Sequence, residues 1–234
     1  MTMNRQYSQT YAAGQQIDGV LVGTVTDNKD PEGLGRVKLK LPLREDEYET
    51  DWVRIATMMA GNDRGSLFIP EVGDEVLVAF HLGKIRQPYV IGMLWNSQQV
   101  NPTGDEENNL RKIRSRSGHE ITLDDTKDKE KVTILTSKGQ KVEMDDAAET
   151  ITIAGINSYE IVGSKDKVEV KAQQSTVTIT TQGEITLSAA KSITLKSMDV
   201  NIEANANVNI KGALINVKSD SGAVTIKGTV VKIN

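Results

Sequence analysis

Between Val177 and Asn234 the chain repeats a small apolar unit, V/I-x-V/I/L, with Thr, Ser, Asn, Lys and Glu filling the positions between. The pairs are Val177/Ile179, Ile185/Leu187, Ile193/Leu195, Val200/Ile202, Val208/Ile210, Ile215/Val217, Val224/Ile226 and Val231/Ile233, with first members 8, 8, 7, 8, 7, 9 and 7 residues apart. Within a pair the period is two, which puts both side chains on one face of a strand. An eight-residue unit spans roughly 27 Å fully extended, at about 3.3 Å per residue, and a three-sided coil needs about twice that. One repeat therefore does not close a coil by itself. Two arrangements satisfy the pattern: a meander of short antiparallel strands within one chain, or several chains wrapped so that each supplies one side of a shared prism. The second leaves no long open edge and gives every inward pair a dry partner, and it is favoured here as a symmetric trimer whose core the pairs form.

Upstream the same pairing is more widely spaced: Val132/Ile134, Val142/Met144, Ile151/Ile153, Tyr159/Ile161 and Val168/Val170, with turns such as SKGQK, DDAAET and GSKDK between them. This predicts a wider, less regular neck ahead of a narrow shaft. Further upstream the pattern changes character. IDGVLVGTVTDN precedes the turn cluster KDPEGLG and then RVKLKLP, where Val37, Leu39 and Leu41 alternate with Arg36, Lys38 and Lys40. Trp52 to Ala56, SLFIPEVGDEVLVAF and PYVIGMLW supply further strands, and five or so short strands with Gly-rich turns suggest a small Greek-key barrel. The first residues show no period and read as an arm ordered only against a neighbour. The predicted organisation is an arm at 1–16, a barrel at 17–97, a linker and neck at 98–130 and a shaft at 131–234.

Composition sharpens this division. All five Pro, both Trp and both Phe lie within the first 102 residues, and beyond Pro102 the single aromatic is Tyr159. That predicts a compact core filled by large side chains, followed by an extended one too narrow for anything beyond Val, Ile, Leu or Met. The 234 residues contain no Cys, so no disulfide framework exists, and the net charge of -4 argues against a nucleic-acid binder, which needs a basic stripe. No apolar run reaches membrane-span length and the N-terminus lacks a signal peptide's apolar core, so assembly in the cytoplasm is expected.

Candidate chemistry is sparse. Asp124-Asp125 and Asp145-Asp146 have the spacing of carboxylates that share a proton, but each pair follows a strand and opens a turn, where Asp caps the backbone. His119 has only His81 as a companion, and with no Cys no zinc cluster assembles. Gly33-Leu34-Gly35 lacks the ending of a phosphate loop and reads as a hairpin turn. Lys191, Lys196, Lys211, Lys218, Lys227 and Lys232 suit either a polyanion track or, the reading preferred, a solvated face that blocks edge pairing.

Four motifs in order, VTDNKDPEGLGRVKLKLP, DWVRIA, GSLFIPEVGDEVLVAF and GKIRQPYVIGMLWN, resemble the OB-fold domain of contractile-injection spikes: the phage baseplate assembly protein V family and the valine-glycine repeat (VgrG) spikes of type VI secretion. RKIRSRSGHEITLDD resembles the connector of that family, and the C-terminal repeat its β-helix. The resemblance implies an all-β fold: an N-terminal OB-fold (Greek-key barrel) followed by an elongated, intertwined homotrimeric β-helix. It implies a structural spike with no catalytic step, no cofactor and no metal, which punctures the target envelope on sheath contraction and touches the target membrane transiently. There is no lysozyme-like insertion after the barrel and no room for the large hub module before it, so a separate baseplate hub protein is expected at the barrel end. The C-terminus, IKGTVVKIN, lacks the His-x-His of self-capped phage spikes, so a PAAR-type tip protein is expected against Val231, Lys232, Ile233 and Asn234. The particle would be a phage tail, tailocin, extracellular injection system or type VI-like apparatus. The rivals are a trimeric β-helical adhesin or carbohydrate-active tail fibre, and an OB-fold nucleic-acid-binding protein.

Overall fold

A computed structural model describes residues 17, 19–42 and 48–233; the expected arm at 1–16 and the terminal Asn234 lie outside the described residues. The chain divides into two units between Ser137 and Lys138.

The first unit opens with eight strands: β1 (Val20–Asp27), β2 (Lys38–Leu41), β3 (Tyr48–Glu49), β4 (Arg54–Ile55), β5 (Ala60–Gly61), β6 (Arg64–Gly65), β7 (Glu75–Phe80) and β8 (Pro88–Leu94). Six of them form a sheet in the order β3-β2-β1-β7-β8-β4, antiparallel except for the parallel pair β4–β8. Val37 and Val53, which flank β2 and β4, exchange backbone hydrogen bonds of 3.0 and 2.7 Å. That exchange ties the two ends of the sheet together, and the sheet curls into a barrel with few free edges. β5 and β6 make a separate hairpin.

Strand alternation fills the barrel. Val37, Leu39 and Leu41 are fully buried, as are Val76 and Val78 on β7 and Val90 on β8, with Val25, Val53, Ile17 and Phe80 completing the core. Gly23 is small because a Cβ there would lie 2.8 Å from Leu41 Cδ2 and 3.3 Å from Val78 Cγ2. Buried Thr50 satisfies itself against Leu39: its hydroxyl accepts the Leu39 N–H at 3.0 Å and its own N–H donates to the Leu39 carbonyl at 2.8 Å.

The expectation of a core built from large side chains needs correction. Of the aromatics whose side chains are described, Phe80 alone is in the core; Trp95 and Phe68 are exposed, and Trp52 is half-buried with Lys38 Nζ 5.4 Å from its ring centroid. A small barrel has an interior just wide enough for aliphatic chains, so bulky rings move to its outside.

The loop before β2 is organised by one carboxylate. Asp30 accepts hydrogen bonds from the backbone N–H of Glu32, Leu34 and Arg36, and from Nε and Nη2 of Arg36, the latter two at 2.8 Å. The Arg36 guanidinium holds the Asp30 carboxyl far below its ordinary range, and Asp30 in turn raises Arg36. Gly33 and Gly35 both take positive φ, 67° and 70°, which lets the turn wrap around that side chain. The glycines therefore serve a turn, as their sequence context implied.

Three further strands in this unit, β9 (Leu110–Arg114), β10 (Glu120–Asp124) and β11 (Lys131–Leu135), form an antiparallel meander. The second unit carries β12 (Lys141–Asp145), β13 (Thr150–Ala154), β14 (Tyr159–Gly163), β15 (Lys167–Ala172), β16 (Ser175–Thr180) and β17 (Ile185–Ala189), with each strand from β13 onward antiparallel to the one before. After Ala189 no described residue lies in a strand.

Candidate assembly surface

Alternation sorts each meander into two faces. In β10, Ile121 and Leu123 share one face; the register places Ile121 between Ile113 on β9 and Ile134 on β11, and Leu123 between Arg111 on β9 and Val132 on β11. In the second unit Val142 faces Ile153 and Met144 faces Ile151; Ile153 faces Ile161, which faces Val170; Val170 faces Val177 and Val168 faces Ile179; and these last face Leu187 and Ile185. Each neighbouring pair of strands within a meander therefore holds at least one aliphatic-to-aliphatic pair, while Leu123 also meets Arg111, and Ile151 and Val168 meet Gly163. Direct cross-strand pairs of this kind are the unit of sheet stabilisation.

These rows are open to solvent. Ile151 is 55% exposed, Ile179 47%, Ile185 70% and Leu187 52%, and beyond Val90 no described residue is buried. The opposite face carries the charges, and it is the better covered of the two. Glu120 accepts from Thr122 Oγ1 at 2.8 Å and pairs with Lys112 at 3.3 Å and Arg114 at 3.2 Å, and its side chain is only 14% exposed. Glu169 pairs with Lys171 at 2.9 Å and Lys167 at 3.1 Å, and Lys141 with Glu143 at 2.9 Å. The Thr122 hydroxyl, aided by Lys112 and Arg114, holds Glu120 below the usual carboxylate range; Lys171 and then Lys167 do the same for Glu169, which raises Lys171. A sheet whose charged face is closed by its own ion pairs while its aliphatic face stands open presents a docking surface.

Of the residues expected to build a shared core, Val177 and Ile179 lie on β16 and Ile185 and Leu187 on β17, in direct register. Ile193, Leu195, Val200, Ile202, Val208, Ile210, Ile215, Val217, Val224, Ile226, Val231 and Ile233 all fall in the strandless stretch and are all exposed, from 50% at Val224 to 89% at Ile233. Lys232 is exposed beside them, and Asn234 lies outside the described residues. The expected set began at Val177. An aliphatic face of the same kind is present in the first unit, at Ile113, Ile121 and Leu123, and the alternation in RKIR and EITLD was the available signal.

The candidate chemical groups serve turns. Asp124 accepts from the N–H of Thr126 at 3.0 Å and from its hydroxyl at 2.6 Å, which lowers its pKa, and Asp125 lies 3.4 Å from Arg111. Asp145 accepts the Ala148 N–H at 2.7 Å. His119 is exposed, with Nδ1 accepting the Ser137 N–H at 3.3 Å. Among the described residues no group of three or more His, Asp or Glu is placed to hold a metal, and no helix is long and apolar enough to cross a membrane. The first unit also carries apolar side chains outside the barrel core: Phe68, Met93, Trp95 and Val100 line an open cleft of about 750 Å³, near which Glu71 and Arg116 pair at 2.8 Å.

With this geometry in place, comparison with known proteins is informative. Residues 21–95 match the family described as the type VI secretion system/phage-baseplate injector OB domain. The chain is 30% identical to the type VI secretion system spike protein VgrG2a of Pseudomonas aeruginosa, over 47% of this chain and 15% of that one. It is 28% identical to the type VI secretion system spike protein VgrG3 of Vibrio cholerae, over 54% of this chain and 14% of the relative. It is 27% identical to the actin cross-linking toxin VgrG1 of Vibrio cholerae, over 53% of this chain and 12% of the relative. The chain thus spans less than a quarter of the length of these relatives.

Proposed function

We propose that this chain is the structural central spike of a contractile injection machine, a reading supported by the match of residues 21–95 to the injector OB domain and by the similarity to VgrG spike proteins. Three copies associate through the open aliphatic rows and the pair repeat that follows them. The observation that carries this reading is the aliphatic face in strict register, uncovered within one chain, followed by a stretch from Ala190 onward that repeats the same pairs with no strand partner of its own. In a trimer each pair gains the dry neighbour it lacks, and each side chain so covered contributes roughly 1.5–3 kcal/mol before ordering costs are subtracted. The absence of Pro after residue 102 means that every residue of the repeat carries a backbone N–H, the donor an inter-chain ladder requires.

Function then follows from mechanics. Interwound chains unfold slowly, so the shaft resists force and detergent kinetically, and sheath contraction drives it through the target envelope without a catalytic step. A baseplate hub engages the barrel end and a PAAR-type protein caps Val231 to Asn234, so that the spike is assembled within the producing cell as part of a tail-like particle. The test is sedimentation equilibrium combined with unheated SDS electrophoresis. A detergent-resistant trimer is expected, and a monomer that melts easily would overturn the proposal.

A further inference from the structure

The charge of this chain is sorted along its length. Residues 190–234 hold six lysines (Lys191, Lys196, Lys211, Lys218, Lys227, Lys232) against three acids (Asp199, Glu203, Asp220), a net of +3; the other 22 basic residues face 29 acids, a net of -7. The lysines are also in phase with the apolar repeat. Leu195-Lys196, Ile210-Lys211, Val217-Lys218 and Ile226-Lys227 each place a lysine directly after the second member of a pair. Ile202 is followed instead by Glu203. A position one residue after an inward side chain points to the opposite face, so these lysines face outward wherever the pairs face in. In the stacked repeats of the spike reading these lysines fall into one ridge.

Stability alone does not favour such a ridge. Like charges opposite one another on neighbouring strands are destabilising, and the paired part of this chain avoids them by setting glutamates beside lysines, as at Lys141–Glu143 and Lys167–Glu169–Lys171. Among the described residues none of the six distal lysines makes an ion pair. Three successive repeats, at Lys211, Lys218 and Lys227, carry the same uncompensated charge.

We propose that this ridge binds the phosphate headgroups of an anionic lipid surface, a step that rests on the spike reading and names the chemistry its distal part meets. Lysine suits the role because its ammonium is a point charge that meets phosphates in any orientation. Single-stranded nucleic acid is the weaker candidate: binding it draws on aromatic platforms and arginine, and this stretch has neither. The acidic remainder of the chain also repels a long polyanion, whereas a lipid surface reached by the distal part alone meets the basic residues first.

The experiment uses the full chain with phosphatidylcholine vesicles and with vesicles containing phosphatidylglycerol, measured by co-sedimentation at low and high salt. A variant with Lys196, Lys211, Lys218 and Lys227 changed to Gln is compared with a charge-matched control changed to Gln at the exposed Lys84, Lys127, Lys129 and Lys165. Wild type and control are expected to bind the anionic vesicles in a salt-sensitive way. The ridge variant is expected to bind about a thousandfold more weakly, since each of the four lysines near such a surface contributes on the order of 1 kcal/mol. Equal binding by the ridge variant and the control, or equal binding to both vesicle types, would overturn the proposal. So would displacement by inorganic phosphate at matched ionic strength, or tighter binding to a single-stranded oligonucleotide. Sedimentation of the same samples separates the two readings: failure to bind vesicles by an intact trimer removes this inference alone, whereas loss of the trimer in wild type removes the spike.

Discussion

The barrel and the meanders that follow it are both largely antiparallel β-structure, yet one closes on itself and the others do not. In the barrel, alternate residues of β1, β2 and β7 turn inward, and the Val37–Val53 bridge joins the ends of the sheet, so that Leu39, Val76 and Val90 lose all contact with water. In the meanders the same alternation operates, and Ile151, Ile179 and Leu187 remain open. The difference lies in where the second layer comes from. Curvature lets a six-stranded sheet cover itself, whereas short strands in a running meander have only one layer, and a single layer buries nothing. A period-two pattern therefore specifies a face, and topology specifies what covers it.

The sharpest way to break this contrast is Ile210→Asp. It places a carboxylate in each chain at a position that the proposed trimer puts in a shared dry core, where an unpaired charge is very costly. Loss of the detergent-resistant trimer is expected, with the barrel's melting unchanged when followed by Trp fluorescence, since Trp52 and Trp95 both lie in the barrel-matching segment. Normal assembly of this variant would show that the pairs do not face a shared core.

The converse change is Leu39→Ala, at a position with no exposure. It should destabilise the barrel by about 2–5 kcal/mol in denaturant titrations read by the two tryptophans, while the trimer band persists on unheated gels. Gly23→Ala tests the close approach of β1 to Leu41 and Val78, and overpacking there should cost about 1–3 kcal/mol by the same measurement. If its stability equals that of the parent, the barrel wall at this point is looser than the 2.8 Å approach implies.

The smallest effect concerns the loop before β2. Because Arg36 and the loop amides depress the Asp30 pKa, its contribution is fully present above the unfolded carboxylate pKa of about 4. It is lost as pH falls through the lower folded value. Asp30→Asn keeps part of the turn's hydrogen bonding but removes the charge, so barrel stability near neutrality should drop modestly and its decline below about pH 4 should become shallower. An unchanged acid profile would mean that other carboxylates dominate.

Much of this architecture is legible along the chain. Val37, Leu39 and Leu41 alternate with charged residues and are all buried; the pair rule located β16 and β17; and the acid pairs at 124–125 and 145–146 flank turns as their spacing suggested. Other features carried no local signal. The parallel pairing of β4 with β8 joins segments more than thirty residues apart, and no periodicity announces it. The exposure of Trp95 and Phe68 contradicts their hydrophobicity and depends on the width of the barrel interior. The end of strand pairing at Ala189 is equally silent, because the pairs before and after it are alike.

By itself the sequence determined the period-two faces, the shift from a Pro- and aromatic-containing segment to an aliphatic repeat, and the lysine phase, since each follows from which residue stands where and from the geometry of a strand. Only the tertiary structure decided which face is closed. Burial is a property of two surfaces brought together, and the barrel brings its own surfaces together through sheet curvature and one long-range bridge. The repeat leaves its aliphatic face free because nothing in a single meander lies opposite it.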